Sequence, residues 1–399
     1  MARTPVLFIS SAKLGGGADT FIHLLLMKHL DRERYEVHLA CAPPTPGASG
    51  QTIEAVAPIP GLSIRHTDFG PSLSDSSGWR RVLAALRLVP AATSLLGLAL
   101  YVRRHRIAIL HSTDRPRDAI SCALLGRLTG ACSVIHLHVK FDQWMSTSVK
   151  RAFRRADALI GVSEFVVRSL EAGGYPREKL HAAHNAIVPG DWDPALDGGP
   201  FRESLGIPRG APVIASASRL FRWKGHADLL RAVALVRREL PEVRLVIAGA
   251  DFPPGSGVTA ELRALASELG LADRVHLTGQ IAEVGRVMAA GDVFALASFE
   301  EPFGLVFAEA MALKRPVVAI DNGGTPEVVD DGGSGLLASP GDVKGLADRL
   351  LRLLRDPALR TRMGEHGRKR VEALFTPDRM ARRVEQIYDA LVPPRTFVD

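Results

Sequence analysis

The stretch VFALASFEEPFGLVFAEAM, residues 293–311, decides how the rest of the chain is read. Its first four residues are a short apolar run of the kind that forms a buried strand, and the loop that follows opens a helix with Pro302 at its start. A strand that passes into a helix is half of a βα unit. The first turn of such a helix offers free amides, and its dipole favours a phosphate beside Gly304 and Leu305, with Phe303 just ahead of them. Glu301 and Glu309, separated by seven residues, can accept hydrogen bonds from sugar hydroxyls. Taken in isolation, however, Glu301 could cap the helix and Glu309 could lie on its exposed face.

The same alternation extends in both directions. Apolar runs at 6–10, 37–41, 107–111, 134–138 and 158–162 in the first half, and at 213–217, 244–248, 275–278, 293–296 and 316–320 in the second, predict two parallel sheets wound by helices. At 399 residues the chain exceeds what one hydrophobic core usually serves, and 46% hydrophobic with 23% charged residues fits a globular protein rather than a disordered one. We therefore expect an α/β fold of two Rossmann-like domains, 1–188 and 201–376, joined by a Pro/Gly/Asp-rich linker at 189–200. Met380, Val384, Ile387, Tyr388 and Leu391 recur at helical spacing in 377–391, so 377–399 should form a C-terminal helix and tail.

Three further segments carry polar chemistry. RLFRWKG, residues 219–225, places Arg219 and Lys224 just after a strand, where open α/β sheets bind ligands, and fixed cations there suit a diphosphate leaving group. A solvated basic loop is the plain alternative. DNGGTPE, residues 321–327, puts another glycine loop and an acid at the next strand end. Gly15, Gly16 and Gly17 follow the first strand, where bare backbone can approach a phosphate or sugar, which makes Gly16 and Gly17 candidate donor contacts. Thr20 stands where a dinucleotide fingerprint would need its third glycine, so a nicotinamide or flavin site is disfavoured.

In this order the segments resemble the retaining GT-B glycosyltransferases of glycosyltransferase family 4, across nearly the whole chain. The specific elements are E-x7-E at Glu301 to Glu309, R-L-x-x-x-K-G at Arg219 to Gly225, and GG-x-P-E at Gly323 to Glu327. The resemblance implies two domains facing across a cleft, with the C-terminal helix crossing back to the first. It implies that Arg219 and Lys224 bind the diphosphate, Glu309 the ribose and Glu301 the transferred sugar, with amides from Gly304 and Leu305. Ile281 would hold the base through main-chain contacts. His138, at the end of a strand, would contact donor sugar or acceptor, although His136 shares its face and a strand histidine is more often structural. Relatives commonly read Asn-Gly-Val-Asp where this chain has Asn-Ala-Ile-Val from Asn185.

No resident cofactor is expected, and the donor would be a nucleoside diphosphate sugar, with UDP or GDP as the nucleotide. No metal is expected either. Asp191 and Asp193 could bracket an ion, but they sit in the linker, and Arg219 with Lys224 can neutralise the leaving group. Three cysteines without CxxC or CxxH spacing argue against a disulfide framework or zinc site and fit a reducing, cytoplasmic setting.

Charge divides unevenly: residues 1–185 hold 23 Lys/Arg against 14 Asp/Glu, while the rest hold 27 against 29. Sparse aromatics and no RNP-like strand make nucleic acid the weakest partner for the basic half. Residues 82–102 are apolar and flanked by arginines, but Arg87, Pro90, Thr93 and Ser94 interrupt them, so a buried helix is the leading reading. Peripheral association with an anionic membrane through the basic half is the retained alternative. The expected activity is retaining, metal-independent hexosyl transfer to the hydroxyl of a glycan, a lipid-linked sugar or another small molecule. A nucleotide-sugar epimerase, a non-catalytic nucleotide-sugar-binding protein and an oxidoreductase are the rivals.

Overall fold

The computed structural model describes residues 3–12, 17–45, 47, 52–56, 59–70, 88–143 and 145–392. The chain divides into two compact units, Met1–Asn185 together with Pro377–Asp399, and Ala186–Thr376. Each is built on one parallel sheet.

In the first unit the strands are β1 (Thr4–Ser10), β2 (Tyr35–Cys41), β3 (Ser63–His66), β4 (Ile109–Thr113), β5 (Cys132–Leu137), β6 (Ala158–Gly161) and β7 (Leu180–Ala182), in sheet order β3-β2-β1-β4-β5-β6-β7. The central strands are buried along nearly their whole length, as a sheet covered on both faces requires. Helix Pro377–Leu391 packs on helix Ala18–His29 and buries Met380, Val384, Ile387 and Tyr388, the apolar positions of the sequence pattern.

The second unit holds β8 (Val213–Ala217), β9 (Arg244–Ala248), β10 (Val275–Gly279), β11 (Val293–Leu296), β12 (Val317–Ile320) and β13 (Gly335–Ala338), in order β10-β9-β8-β11-β12-β13. In both sheets the chain first winds outward in one direction and then returns to the other side of the first strand. The reversal falls between β1 and β4 in one unit and between β8 and β11 in the other, and such switch points are where doubly wound sheets bind ligands.

Three strands lack a strong sequence signal: β3 is polar and largely exposed, β7 has three residues, and β13 follows a turn of glycines and acids. Residues 189–200 are structured and belong to the second unit. Pro189–Asp191 forms a 3-10 turn, Gly199–Ser204 a helix, and Arg368 Nη1 donates to the carbonyls of Pro189 and Trp192 at 3.1 and 2.8 Å. Asp193 accepts the Ala195 amide at 2.9 Å, a local turn role. Of the apolar segment 82–102, residues 82–87 lie outside the described residues. The remainder belongs to helix Leu88–Arg104, and among the described residues no helix is long and apolar enough to cross a membrane.

Candidate nucleotide-sugar site

Loops at the carboxyl ends of β8, β11 and β12, three neighbouring strands, meet around Glu301. Lys224 Nζ donates to Glu301 Oε1 at 2.5 Å. The amide of Gly324 donates to the Glu301 carbonyl at 2.7 Å, the Phe299 amide to the Trp223 carbonyl at 2.9 Å, and Asn322 Nδ2 to the Phe299 carbonyl at 2.7 Å. Two glycines make this approach feasible. A Cβ on Gly225, at φ +69°, would stand 1.8 Å from the Ala297 carbonyl oxygen, and one on Gly323, at φ +67°, 2.5 Å from that of Glu301. Gly225 and Gly323 are therefore packing requirements where these loops meet.

Each cation has a distinct setting. Arg219 makes no ion pair among the described residues, and its guanidinium lies over the rings of Phe252 and Phe221, 4.7 and 5.3 Å from their centroids. Stacking of this kind holds the planar group while leaving its N–H donors available. Lys224 is held by Glu301 and lies 4.3 Å from the centre of Trp223. Arg222 is turned to Glu261, at 2.5 Å, on the exposed side.

The helix opened by this loop starts at Leu305 with Gly304 as N-cap, three residues later than Pro302 suggested, and no side chain caps it. Glu301 is thus no helix cap; it is 5% exposed and paired with Lys224. Glu309 is not on an exposed face. It is largely buried, its carboxyl has no hydrogen-bond partner among the described residues, and burial pushes its pKa up to about 7. Phe303 is 2% exposed and packs edge-on to Phe375, so any donor contact from it falls to its main chain. Ile281 lies beyond β10, at the outer edge of the sheet, linked towards β8 through the Gly249 amide to Gly279 carbonyl bond of 2.8 Å.

Behind Lys224, buried His226 shares a 2.9 Å hydrogen bond with Ser218 Oγ, and burial followed by the nearby Lys224 charge lowers its pKa to about 4. It is a neutral prop for the basic loop. Sequence reasoning passed over it, although it directly follows Gly225.

The first unit has its own polar cluster at the β1/β4 switch point. Gly16 lies outside the described residues; Gly17 directly precedes helix Ala18–His29. Arg115, following β4, forms a two-pronged pair with Asp19, with Nη2 to Oδ1 at 3.0 Å. Asp114 Oδ2 accepts the amides of His138 and Val139 at 3.1 and 3.2 Å, while burial, reinforced by Asp19, raises its pKa to about 7. That bond explains why β5 ends at Leu137: the His138 amide goes to a side chain, not to the sheet. None of Asp19, Asp114 and Arg115 was singled out in the sequence, where isolated charged residues carry no spacing signal.

His138 does not stand alone. Its ring lies 4.7 Å from that of His136 and 5.6 Å from that of His23, and His111 completes a group in which burial holds all four imidazoles neutral. His23 Nε2, His111 Nε2 and both ring nitrogens of His136 and His138 have no hydrogen-bond partner among the described residues, and each such group typically costs about 1–3 kcal/mol.

The glycosyl transferases group 1 family matches residues 199–370, and the glycosyl transferase 4-like domain matches residues 16–186. A D-inositol 3-phosphate glycosyltransferase of Corynebacterium jeikeium is 39% identical over 196 residues, 48% of this chain and 46% of that protein. An N-acetyl-alpha-D-glucosaminyl L-malate synthase of Bacillus anthracis is 27% identical over 62% of this chain and 63% of its own. The chain spans about half the length of the first of these relatives. Among solved structures, Anabaena Alr3699/HepE in complex with UDP has a TM-score of 0.79 at 21% identity, covering 97% of this chain and all of that one, which shows a shared fold. The two adjoining domain matches place this chain among the glycosyl transferases group 1, and its two wound parallel sheets share the fold of the solved neighbour.

Proposed function

We propose that the chain is a retaining glycosyltransferase that moves a hexosyl group from a nucleoside diphosphate sugar to an acceptor hydroxyl, with the donor held by Ala186–Thr376. The observation that carries this reading is the convergence of three loops on Glu301, with an unpaired Arg219 and an unpartnered Glu309 carboxyl in the same unit. Arg219 and Lys224 stabilise the charge that builds on the departing diphosphate, helped by the amides at Gly304 and Leu305. Glu309 accepts from the ribose hydroxyls and Glu301 from the transferred sugar, while Ile281 faces the base with its main chain. As the acceptor oxygen bonds to the anomeric carbon, the bond to the diphosphate breaks on the same face, and a departing phosphate oxygen takes the acceptor's proton. Fixed cations supply what a divalent ion would supply, so the step needs none.

UDP is the first nucleotide to test, because the solved Anabaena neighbour holds it, with GDP second. The first unit takes the acceptor, with His138 as its candidate contact, while Gly16 and Gly17 stay candidate donor contacts. Val89, Leu96 and Leu100, exposed at 68, 59 and 66% on helix Leu88–Arg104, together with Arg103 and Arg104 at its end, support contact with an anionic membrane when that acceptor is lipid-linked. The family match gives the epimerase alternative no support. The deciding experiment offers UDP-, GDP- and ADP-hexoses with a panel of hydroxyl acceptors, reads released nucleoside diphosphate, and assigns the product anomer by NMR. Release of one nucleotide with retained configuration is expected. Inversion would refute the retaining mechanism, and binding without release would leave a non-catalytic binding protein.

A further inference from the structure

In the first unit, His23 from helix Ala18–His29, His111 from β4 and His136 from β5 point to a common centre. One nitrogen of each lies within 4.8 Å of the others, and the residues are 4, 0 and 0% exposed. A buried imidazole normally hands at least one nitrogen to a partner, because an unmet N–H or lone pair loses its hydration without replacement. Here His111 does so on one side only: its Nδ1 meets the Tyr388 hydroxyl at 2.6 Å, while its buried Nε2 has no hydrogen-bond partner among the described residues. His23 Nε2 and both nitrogens of His136 are in the same state among the described residues. Asp19 acts on His23 alone, the three share no acid that would make them a salt-bridge network, and burial lowers their basicity, leaving free lone pairs rather than charges.

We propose that His23, His111 and His136 form a binding site for a divalent transition ion, zinc being the fitting one. Neutral imidazoles are its usual nitrogen ligands, at about 2.0–2.1 Å, and three of them leave a fourth tetrahedral position for water. With the His111 Nδ1–H donating to the Tyr388 hydroxyl, this bond is the outer contact that such ligands characteristically make and leaves the Nε2 lone pair for the ion. Drawing the three nitrogens onto one ion requires side-chain shifts of about an ångström. The ion would tie β4 and β5 to helix Ala18–His29 and, through Tyr388, to helix Pro377–Leu391. The ring of His138 lies 4.7 Å from that of His136 and 5.6 Å, edge-on, from that of His23. This site is separate from the diphosphate chemistry of the second unit and does not depend on the proposed transfer reaction.

The test uses the full chain without an affinity tag, produced in zinc-supplemented medium, desalted and assayed for metal content. About one zinc per chain is expected, and growth on cobalt(II) instead should give the visible absorption of a tetrahedral ion with nitrogen ligands. His136→Gln and His111→Asn should each lose most of the bound metal and the cobalt spectrum. Because a strand substitution can impair folding, His23→Gln on the helix face is the second variant, with circular dichroism confirming its fold; it too should lose the metal. Zinc should also raise the melting temperature of the parent and leave that of the folded variant unchanged. A parent chain without zinc or cobalt overturns the proposal, and so does a folded His23→Gln chain that retains as much metal as the parent.

Discussion

Lys224 Nζ stands 2.5 Å from Glu301 Oε1, and the two side chains are only 13 and 6% exposed. Each therefore fixes the other where water cannot screen the contact, and one residue's loss strands its partner. Lys224→Ala should lower turnover by about 10²-fold or more, as expected for one preorganised charge-stabilising group, and cost about 3 kcal/mol of stability. Adding Glu301→Gln should recover much of the stability and none of the turnover. Urea unfolding beside steady-state kinetics checks both, and a folded Lys224→Ala chain at full rate would remove Lys224 from the site.

The two glutamates should fail differently. Glu309→Gln is expected to weaken binding of free nucleoside diphosphate and donor alike by about 1–3 kcal/mol, the worth of a charged hydrogen bond. Glu301→Gln should lower transfer while nucleotide affinity stays near that of the parent. Calorimetry with the nucleotide alone separates them, and equal losses would refute the division of labour.

Glu309 also sets a pH dependence. Its pKa rises from 4.5 to about 7 in the folded chain, so between those values the folded state holds a proton that the unfolded state has released. Stability from this group is present below pH 4.5, declines as pH rises through that window, and is lost above about 7. Glu309→Gln should melt higher than the parent at pH 8.5, with the difference shrinking towards pH 5. If the ribose hydroxyls require the ionised carboxylate, nucleotide binding at pH 7 releases a proton, and the parent's binding enthalpy should vary with buffer ionisation enthalpy more than the variant's.

Turnover should continue in EDTA without added magnesium or manganese if, as proposed, Arg219, Lys224 and the amides at Leu305 take the charge of the departing diphosphate. Rescue of a chelated enzyme by millimolar magnesium or manganese would place an ion at the donor phosphates. Rescue by trace zinc alone would instead point to the histidines of the first unit.

Much of the second unit was legible because its signals are local. A four-residue apolar run, a glycine at a loop apex and an acid at fixed spacing all report on βα units whose ends must converge, and Glu301, Lys224 and Gly323 do converge. Pro302 misplaced the helix start, since Gly304 rather than proline begins the turn. Phe303 was named with the donor contacts, yet its ring serves the core against Phe375. The polar clusters of the first unit were illegible for a different reason. Asp19 and Arg115 are 96 residues apart in sequence, and His23 and His136 still farther, so only the order of the strands brings them together.

Helix Pro377–Leu391 supplies one wall of the first unit: Tyr388 reaches His111, the Tyr35 hydroxyl donates to Asp389 at 2.8 Å, and Glu385 accepts the Asp31 amide at 2.8 Å. On the ribosome, every strand of the first sheet emerges before any part of that wall exists. The nascent first half must wait, with His111 and Tyr35 not yet covered by that helix, until all of Ala186–Thr376 has been made. Completion of the first unit thus requires that the second has been synthesised, and a message cut short between them leaves that sheet face unfinished.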